Sequence, residues 1–203
     1  MMKKKKKKSY LKFFLLLFAI LLIGFFSYQN FFKKNVIQVV SEIDDYSYFL
    51  ENNETKIYKK YYKELEKELG DKKVNEENYA KLITKLFLID FYTLSNKVTN
   101  QDIGGIQFLY DDIQDNFKLK ATDTLYKYVK SDIYGNRSQE LPTVKDVEIE
   151  NVETKEYSYL DKKDKNAFII NAKIIYKKDL GYDKEKTLIV IHDDIKLSIV
   201  EIK

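Results

Sequence analysis

Cysteine and tryptophan are absent from this 203-residue chain, and proline and histidine occur once each. Without cysteine the chain has no disulfide, no thiolate metal ligand and no Cys/His nucleophile pair. The second histidine that a common zinc site needs is also missing. Neither a Gly-rich phosphate loop nor a Gly-x-Ser-x-Gly elbow occurs, so these familiar catalytic motifs are excluded.

Arginine is nearly absent as well, because Arg137 is the only one and the other cations are lysines. Guanidinium forks that read guanine edges and clamp phosphates are therefore scarce, which disfavours nucleic acid as a partner. The formal net charge is +4, but residues 1–12 hold seven lysines and no acid, so residues 13–203 carry net −3. The basic character belongs to the N-terminal tail, and the remaining chain is mildly acidic.

A long apolar run follows this tail, since no residue from Phe13 to Phe26 is polar. Seventeen residues from Tyr10 to Phe26 reach about 26 Å as a helix, near the lower limit for crossing a bilayer core. A cleaved signal peptide is the alternative, but it requires small residues after the run, and aromatic residues stand there instead. We predict a retained transmembrane helix over 10–28, in contact with membrane lipid.

The orientation of this helix follows from the lysines on its two sides. Six precede residue 10 and a seventh, Lys12, lies at the start of the helix, whereas only Lys33 and Lys34 follow it closely. The flank with more Lys and Arg stays cytoplasmic. We therefore expect a cell-membrane, single-pass protein with a basic cytoplasmic tail, 1–9, and the rest of the chain outside the cytoplasm.

The region from 29 to 76 reads as helical and juxtamembrane. Apolar residues near helical spacing predict a first helix over about 36–51. A second helix follows Asn53 as its cap and ends at Gly70, because its apolar residues recur every four positions. A third begins near Asn75 and is apolar over most of its circumference, which is typical of a core helix.

The stretch from 98 to 143 is less regular. Gly104 and Gly105 predict a turn or a close backbone approach. A short helix is expected over Thr122–Val129, capped at its start. Leu141 and Pro142 mark the boundary between a helical half and a strand half.

From Val144 onward the apolar residues alternate with polar ones, which indicates strands. Four segments show this pattern, with one irregularity before Val152 that suggests a bulge. Connections this short join only antiparallel neighbours. The predicted fold class is therefore α+β, with helices packed on one face of a curved four-stranded antiparallel meander.

The closing residues, "IHDDIKLSIVEIK", carry a resemblance to a known group. They are similar to the last hairpin of the nuclear-transport-factor-like, or cystatin-like, α+β cone, with Leu197 where an aromatic residue is expected and Asp193-Asp194 in place of Asp-Gly. The resemblance covers about residues 77–203 and implies a cone-like extracytoplasmic domain. The group contains enzymes, adaptors and scaffolds, so the resemblance implies no particular activity.

An N-terminal anchor joined to such a domain is similar in layout to the bitopic scaffold subunits of bacterial conjugation and type IV secretion channels. The likeness is one of architecture. It implies a scaffold role and transfers no binding residue to this chain.

Two single residues are candidates for chemistry. His192 lies at a strand end beside two acids, where it is either a general base or, as we favour, a solvated surface residue. Asp90 interrupts the apolar third helix and either lines a cavity or, in the favoured interpretation, faces the wetter side. A solvated Asp90 predicts that Asp90→Asn leaves folding intact.

Two further groups are weaker candidates. The acids of Asp111–Phe117 lack the glycine and distal Glu of an EF-hand, so solvated loop acids are favoured over a calcium site. Four tyrosines at helical positions are either partner contacts or, as favoured, internal packing: Tyr58, Tyr61, Tyr62 and Tyr79. We therefore assign no catalytic, cofactor or metal residue and expect no enzyme.

The prediction for function is a membrane-anchored, extracytoplasmic protein-interaction or scaffold module, within an envelope, conjugation or secretion assembly. Its expected partners are other proteins or further copies of itself. The alternative is a small-ligand-binding or enzymatic cone that uses a pocket between helices and sheet. A deep polar pocket containing His192 or Asp90 would favour this alternative, and a filled apolar core would exclude it.

Overall fold

The computed structural model describes residues 6–31, 36–160 and 162–203. These residues contain four α-helices, α1 (Lys6–Phe31), α2 (Lys56–Gly70), α3 (Glu76–Tyr92) and α4 (Asp111–Asp123). They also contain six strands, β1 (Val39–Ile43), β2 (Tyr48–Glu51), β3 (Val144–Tyr159), β4 (Lys162–Tyr176), β5 (Glu185–Asp193) and β6 (Lys196–Ile202). The α+β class is confirmed.

The described residues form two compact units. The first consists of α1, Val36 and the segment 132–137, and the second of 37–131 with 138–203. Lys33 and Lys34 and the first five residues of the predicted tail lie outside the described residues.

The apolar residues of α1 form the largest exposed hydrophobic stretch in the first unit. The large apolar side chains with a described exposure are 42% to 68% exposed, namely Tyr10, residues 13–18 and 20–23, and Phe25. Across the described parts of the chain, no helix combines the length and the apolar content needed to cross a membrane.

The predicted helix over 36–51 is wrong, because β1 and β2 form an antiparallel hairpin there. The reversal includes Ser47, whose φ is 51°. β-branched and aromatic residues favour a pleated strand over a helix, and Tyr48 and Leu50 bury alternate positions of β2. The apolar residues near helical spacing were too few to outweigh this preference.

The second and third helices form as predicted, with small differences at their ends. Thr55, and not Asn53, caps α2 by accepting a hydrogen bond from the Tyr58 N–H at 3.3 Å. Asn75 caps α3 in the same way. The expectation that α3 is a core helix is confirmed, since eleven of its seventeen residues are buried.

The helix predicted over Thr122–Val129 is also misplaced, because α4 ends at Asp123 and turns follow. Asp111 and Asp112, expected in a loop, occupy the first turn of α4. Carboxylates are stabilised there by the positive end of the helix dipole.

The sheet has the predicted four-stranded antiparallel order β3-β4-β5-β6. A register shift between Ile149 and Asn151 confirms the predicted bulge before Val152. β5 and β6 are joined at Asp194, whose φ is 54°. β3 begins two residues after Pro142.

The core lies between the helices and one face of the sheet, where α3 contacts β3, β4 and β6. Hydrogen bonds to tyrosine hydroxyls connect three of the elements that surround this core. The hydroxyls of Tyr48 and Tyr79 are 2.6 Å apart, and the Leu197 N–H donates to the Tyr79 hydroxyl. These contacts hold β2, α3 and β6 together.

Candidate functional site

A cleft of about 560 Å³ opens between α2, α3 and β3 in the second unit. β3 contributes a continuous segment, 146–152, to its wall. Helix side chains form the opposite wall, among them Tyr61, Glu64, Glu77, Lys81 and Lys85. The cleft therefore runs along a strand and is open to solvent.

β3 is an end strand of the four-stranded sheet, because it pairs with β4 on one side and with no other strand in the described residues. Such an edge presents backbone donors and acceptors that another extended chain can pair with. At this edge the Val147 N–H donates to the side chain of Asp146 at 2.8 Å. One backbone N–H at this strand edge is therefore hydrogen-bonded to a side chain of its own strand.

A cluster of three side chains stands between the helices and this strand. The Tyr61 hydroxyl donates to Asp146 Oδ1 at 2.7 Å, and Lys85 Nζ donates to the Tyr61 hydroxyl at 3.2 Å. Burial, and then the bond to Asp146, raise the pKa of Tyr61. Burial lowers the pKa of Lys85, and the charge of Asp146 opposes that shift only in part. The cluster ties α2 and α3 to β3.

The cleft is acidic. Five carboxylates line it, whereas its cations are the two lysines Lys81 and Lys85; the carboxylates are Glu64, Glu77, Asp146, Glu148 and Glu150. Glu148 and Glu150 on β3 are exposed. A surface of this kind attracts a positively charged partner.

The tyrosines considered as partner contacts pack inside the domain, as the favoured interpretation expected. Tyr58, Tyr61, Tyr62 and Tyr79 are at most 5% exposed. Burial raises the pKa of Tyr79 to about 12, because the phenolate has no water to solvate it.

Asp90 is buried, which contradicts the favoured interpretation that it faces the wetter side of α3. It is 7% exposed, and it pairs with Lys97, which is 1% exposed. The Gly105 N–H also donates to Asp90 Oδ2 at 2.6 Å. The carboxylate is therefore satisfied by a buried cation and a backbone donor, contacts that spacing along α3 alone does not reveal.

Glu54 belongs to the same cluster, and sequence reasoning missed it and Lys97. Glu54 is 7% exposed, and its Oε2 atom has no conventional hydrogen-bond donor beside it. Its side chain lines the same small cavity as Asp90 and Lys97. Burial, and then the charge of Asp90, raise the pKa of Glu54 well above its usual value, which favours its neutral form.

Gly104 and Gly105 make the close approach that the sequence predicts. A Cβ on Gly104 would lie 2.5 Å from the Asp90 carbonyl oxygen, and Gly105 has a φ of +78°. The cavity that they border holds about 50 Å³, enough for water but for no organic ligand.

His192 is placed between two carboxylates. Its Nδ1 is 2.8 Å from Asp164 Oδ2, and its Nε2 is 3.4 Å from Glu76 Oε2 at the start of α3. Burial alone lowers the pKa of His192, but its contacts with Asp164 and Glu76 raise the net value. The side chain is 31% exposed and borders an open pocket of about 300 Å³ with Tyr157 and Lys162.

No group of three or more His, Asp and Glu side chains in the described residues is arranged to hold a metal ion. Comparison with protein-family models, with curated proteins and with solved structures found no match for this chain.

Proposed function

We propose that the protein is a membrane-anchored, extracytoplasmic protein-interaction module whose docking surface is the acidic cleft beside β3. The observation that carries the proposal is an unpaired strand edge lining an open cleft with five carboxylates. The occupant that fits is an extended, lysine- or arginine-rich segment of another protein. Its backbone would extend the sheet, and its cations would meet the acids.

The rest of the second unit supports docking over enclosure of a ligand. The space between helices and sheet is filled by large buried side chains, among them Phe87, Phe108 and Tyr126. The cavity beside Asp90 is too small for a metabolite. Binding therefore takes place at the surface.

The anchor in this proposal is α1, through residues 10–28. Its exposed apolar side chains need an apolar environment, which a lipid bilayer supplies. The excess of lysines before it favours a cytoplasmic N-terminus. Helices against an antiparallel meander are compatible with the cone resemblance, and the proposed setting is an envelope assembly of the conjugation or secretion kind.

The alternative function, small-ligand binding, is favoured by the pocket at His192. There a histidine, a lysine and two tyrosines border about 300 Å³ of open space. Chemical shifts of the His192 ring that respond to a library of small anions would support this alternative. Unchanged shifts would leave docking as the function.

A photo-crosslinking experiment in cells tests the docking proposal. A photoreactive residue at Glu148 lines the cleft, whereas one at Lys165, exposed at the far end of β4, serves as the control. We expect a covalent adduct to a second protein from position 148 and none from 165. A crosslinked product made of two copies of this chain would show self-association in place of binding to a basic partner. If the probe at position 148 gives no crosslinked product and only monomer is recovered, docking at the cleft is contradicted.

Charge reversal sharpens this test. Glu148→Lys combined with Glu150→Lys changes the local charge by four and should remove the adduct formed by a probe at Asn151, which also lines the cleft. Glu185→Lys, at an exposed position of β5, is the matched control and should leave the adduct unchanged. An adduct of equal yield in all three proteins would exclude a basic partner.

A further inference from the structure

Three ionisable side chains of the second unit line one small, buried cavity. Asp90 belongs to α3, Lys97 to the loop after it, and Glu54 to the loop before α2. None is more than 7% exposed. Lys97 Nζ contacts Asp90 Oδ1 directly, and Glu54 borders the same cavity of about 50 Å³. One amine and two carboxyl groups therefore lie close together where there is almost no bulk water.

The exposed ion pairs of the chain are in a different situation. In the pair of Lys184 with Asp179 the side chains are 44% and 65% exposed, so water solvates both charges. Burial removes that solvation from Lys97 and Asp90 and penalises both ions. A reaction that converts the two charges into one neutral group is correspondingly favoured at the buried pair.

We propose that Lys97 and Asp90 condense into an intramolecular amide bond between Lys97 Nζ and Asp90 Cγ, with Glu54 as the proton-transfer group. The bond closes a ring over residues 90–97 and ties the end of α3 to the loop that follows it. The contact of Nζ with Oδ1 places the nucleophile next to the carbon that it attacks.

The amine must be neutral before it attacks. Burial on its own lowers the pKa of Lys97, and the charges of Asp90 and its acidic neighbours together outweigh this and raise the net value. When the ammonium gives its proton to Asp90, the largest of those charges is gone and burial favours the neutral amine. A transfer across the existing hydrogen bond therefore yields the amine and the carboxylic acid together.

The condensation is balanced without an oxidant or a co-reactant. The Nζ lone pair forms a bond to Cγ, and the electrons of the C–Oδ2 double bond move onto Oδ2. Glu54 donates its proton to the Oδ1 hydroxyl and accepts one from the nitrogen, so that Oδ1 leaves as water. The Oδ2 electrons then restore the carbonyl, and the products are one amide and one water molecule.

Two groups are placed to assist this step. The Gly105 N–H, 2.6 Å from Oδ2, donates to the oxygen that becomes negative in the tetrahedral intermediate. Burial and the charge of Asp90 raise the pKa of Glu54, which favours the protonated form that this step needs. The adjoining cavity of about 50 Å³ has room for the released water.

Mass spectrometry of the purified full-length protein tests the proposal. We expect a mass lower by one water molecule than the sequence requires, under denaturing conditions. Trypsin should fail to cut after Lys97 and release residues 86–118 as one peptide, lacking one water and giving no fragment ions between positions 90 and 97. Cleavage after Lys81, whose exposed pair with Glu77 stays ionic, is the internal control.

Two variants separate the chemistry from the fold. Glu54→Gln keeps the size of the side chain but cannot transfer a proton. Lys97→Arg keeps the positive charge, but its guanidinium group stays protonated and therefore forms no amide. Both should show the full mass. Circular dichroism reports whether each variant has folded, and the wild-type peptide map decides the central point whatever the variants do.

The proposal is overturned if folded wild-type protein has the full mass and releases residues 86–97 as a linear peptide cut after Lys97. In that case the three side chains form an ionic cluster only. Condensation in Glu54→Gln as complete as in the wild type would overturn the role of Glu54.

Discussion

At the residue scale, the contact between Asp90 and Lys97 connects the core helix α3 to the loop that follows it. Asp90 also accepts the Gly105 N–H. Tyr126 reinforces the same region, because its hydroxyl donates to the Phe91 carbonyl at 2.7 Å and accepts from the Gly104 N–H at 3.2 Å. A single buried carboxylate thus organises two loops around the end of one helix.

Removing the cation should therefore destabilise the protein strongly. Lys97→Met keeps similar bulk but leaves Asp90 without its buried partner, which costs about 3–5 kcal/mol in the free energy of unfolding. Lys81→Met removes an exposed lysine paired with Glu77 and should cost less than about 1 kcal/mol. Urea unfolding followed by circular dichroism measures both, and equal losses would show that burial of Lys97 contributes nothing.

The Gly104 backbone gives a second residue-level prediction. A methyl group there would meet Asp90 at 2.5 Å from its carbonyl oxygen, so Gly104→Ala should cost about 1–3 kcal/mol by overpacking. At Gly70, the last residue of α2, a methyl group meets nothing within 4 Å. Gly70→Ala should leave stability unchanged or raise it by up to about 1 kcal/mol. Thermal unfolding of the two variants compares them, and an unaffected Gly104→Ala would refute the close approach.

At the element scale, His192 fastens the start of α3 to the sheet through Glu76 and Asp164. The folded state raises the pKa of His192, so the protonated ring contributes stability that is fully present below its unfolded pKa of about 6.5. That contribution disappears as the pH rises through the higher folded pKa. The pKa of Asp164 is lowered, because its hydrogen bonds to His192 and Asn166 outweigh the opposing effect of burial.

His192→Gln should accordingly lower the melting temperature more at about pH 5.5 than at about pH 8.5. Lys173→Gln, at an exposed position of β4, is the control and should show no such pH dependence. A His192→Gln effect that grows with rising pH would contradict the assigned carboxylate contacts.

The elements differ in how far the sequence predicts them. The sheet and the core helix α3 were predictable because their periodic apolar residues extend over many positions. The β1-β2 hairpin was not, since a few apolar residues near helical spacing also occur in a short strand pair. Glu54 and Lys97 escaped notice because both stand among polar loop residues, and only the tertiary fold brings them to Asp90. The Gly104-Gly105 pair was the one local sign of that close packing.

At the scale of the whole molecule, the chain divides its properties between its two ends. Lysines and apolar residues are concentrated before residue 35, and the acids that line the cleft lie in the second unit. In the proposed function, the apolar helix contacts lipid and the acidic cleft binds a cationic segment, and these are separate requirements. In the proposed function, the anchor limits where the protein is and the cleft determines what it meets.

The location of the C-terminus in intact cells tests the proposed membrane anchoring most directly. Alkaline phosphatase, which is active only outside the cytoplasm, is fused after Lys203 and compared with a cytosolic fluorescent reporter at the same position. We expect phosphatase activity in the membrane fraction that carbonate washing does not release, and loss of that retention when residues 10–28 are deleted. Activity of the cytosolic reporter alone, or release of the full chain by carbonate, would contradict a membrane-anchored protein that docks its partner outside the cytoplasm.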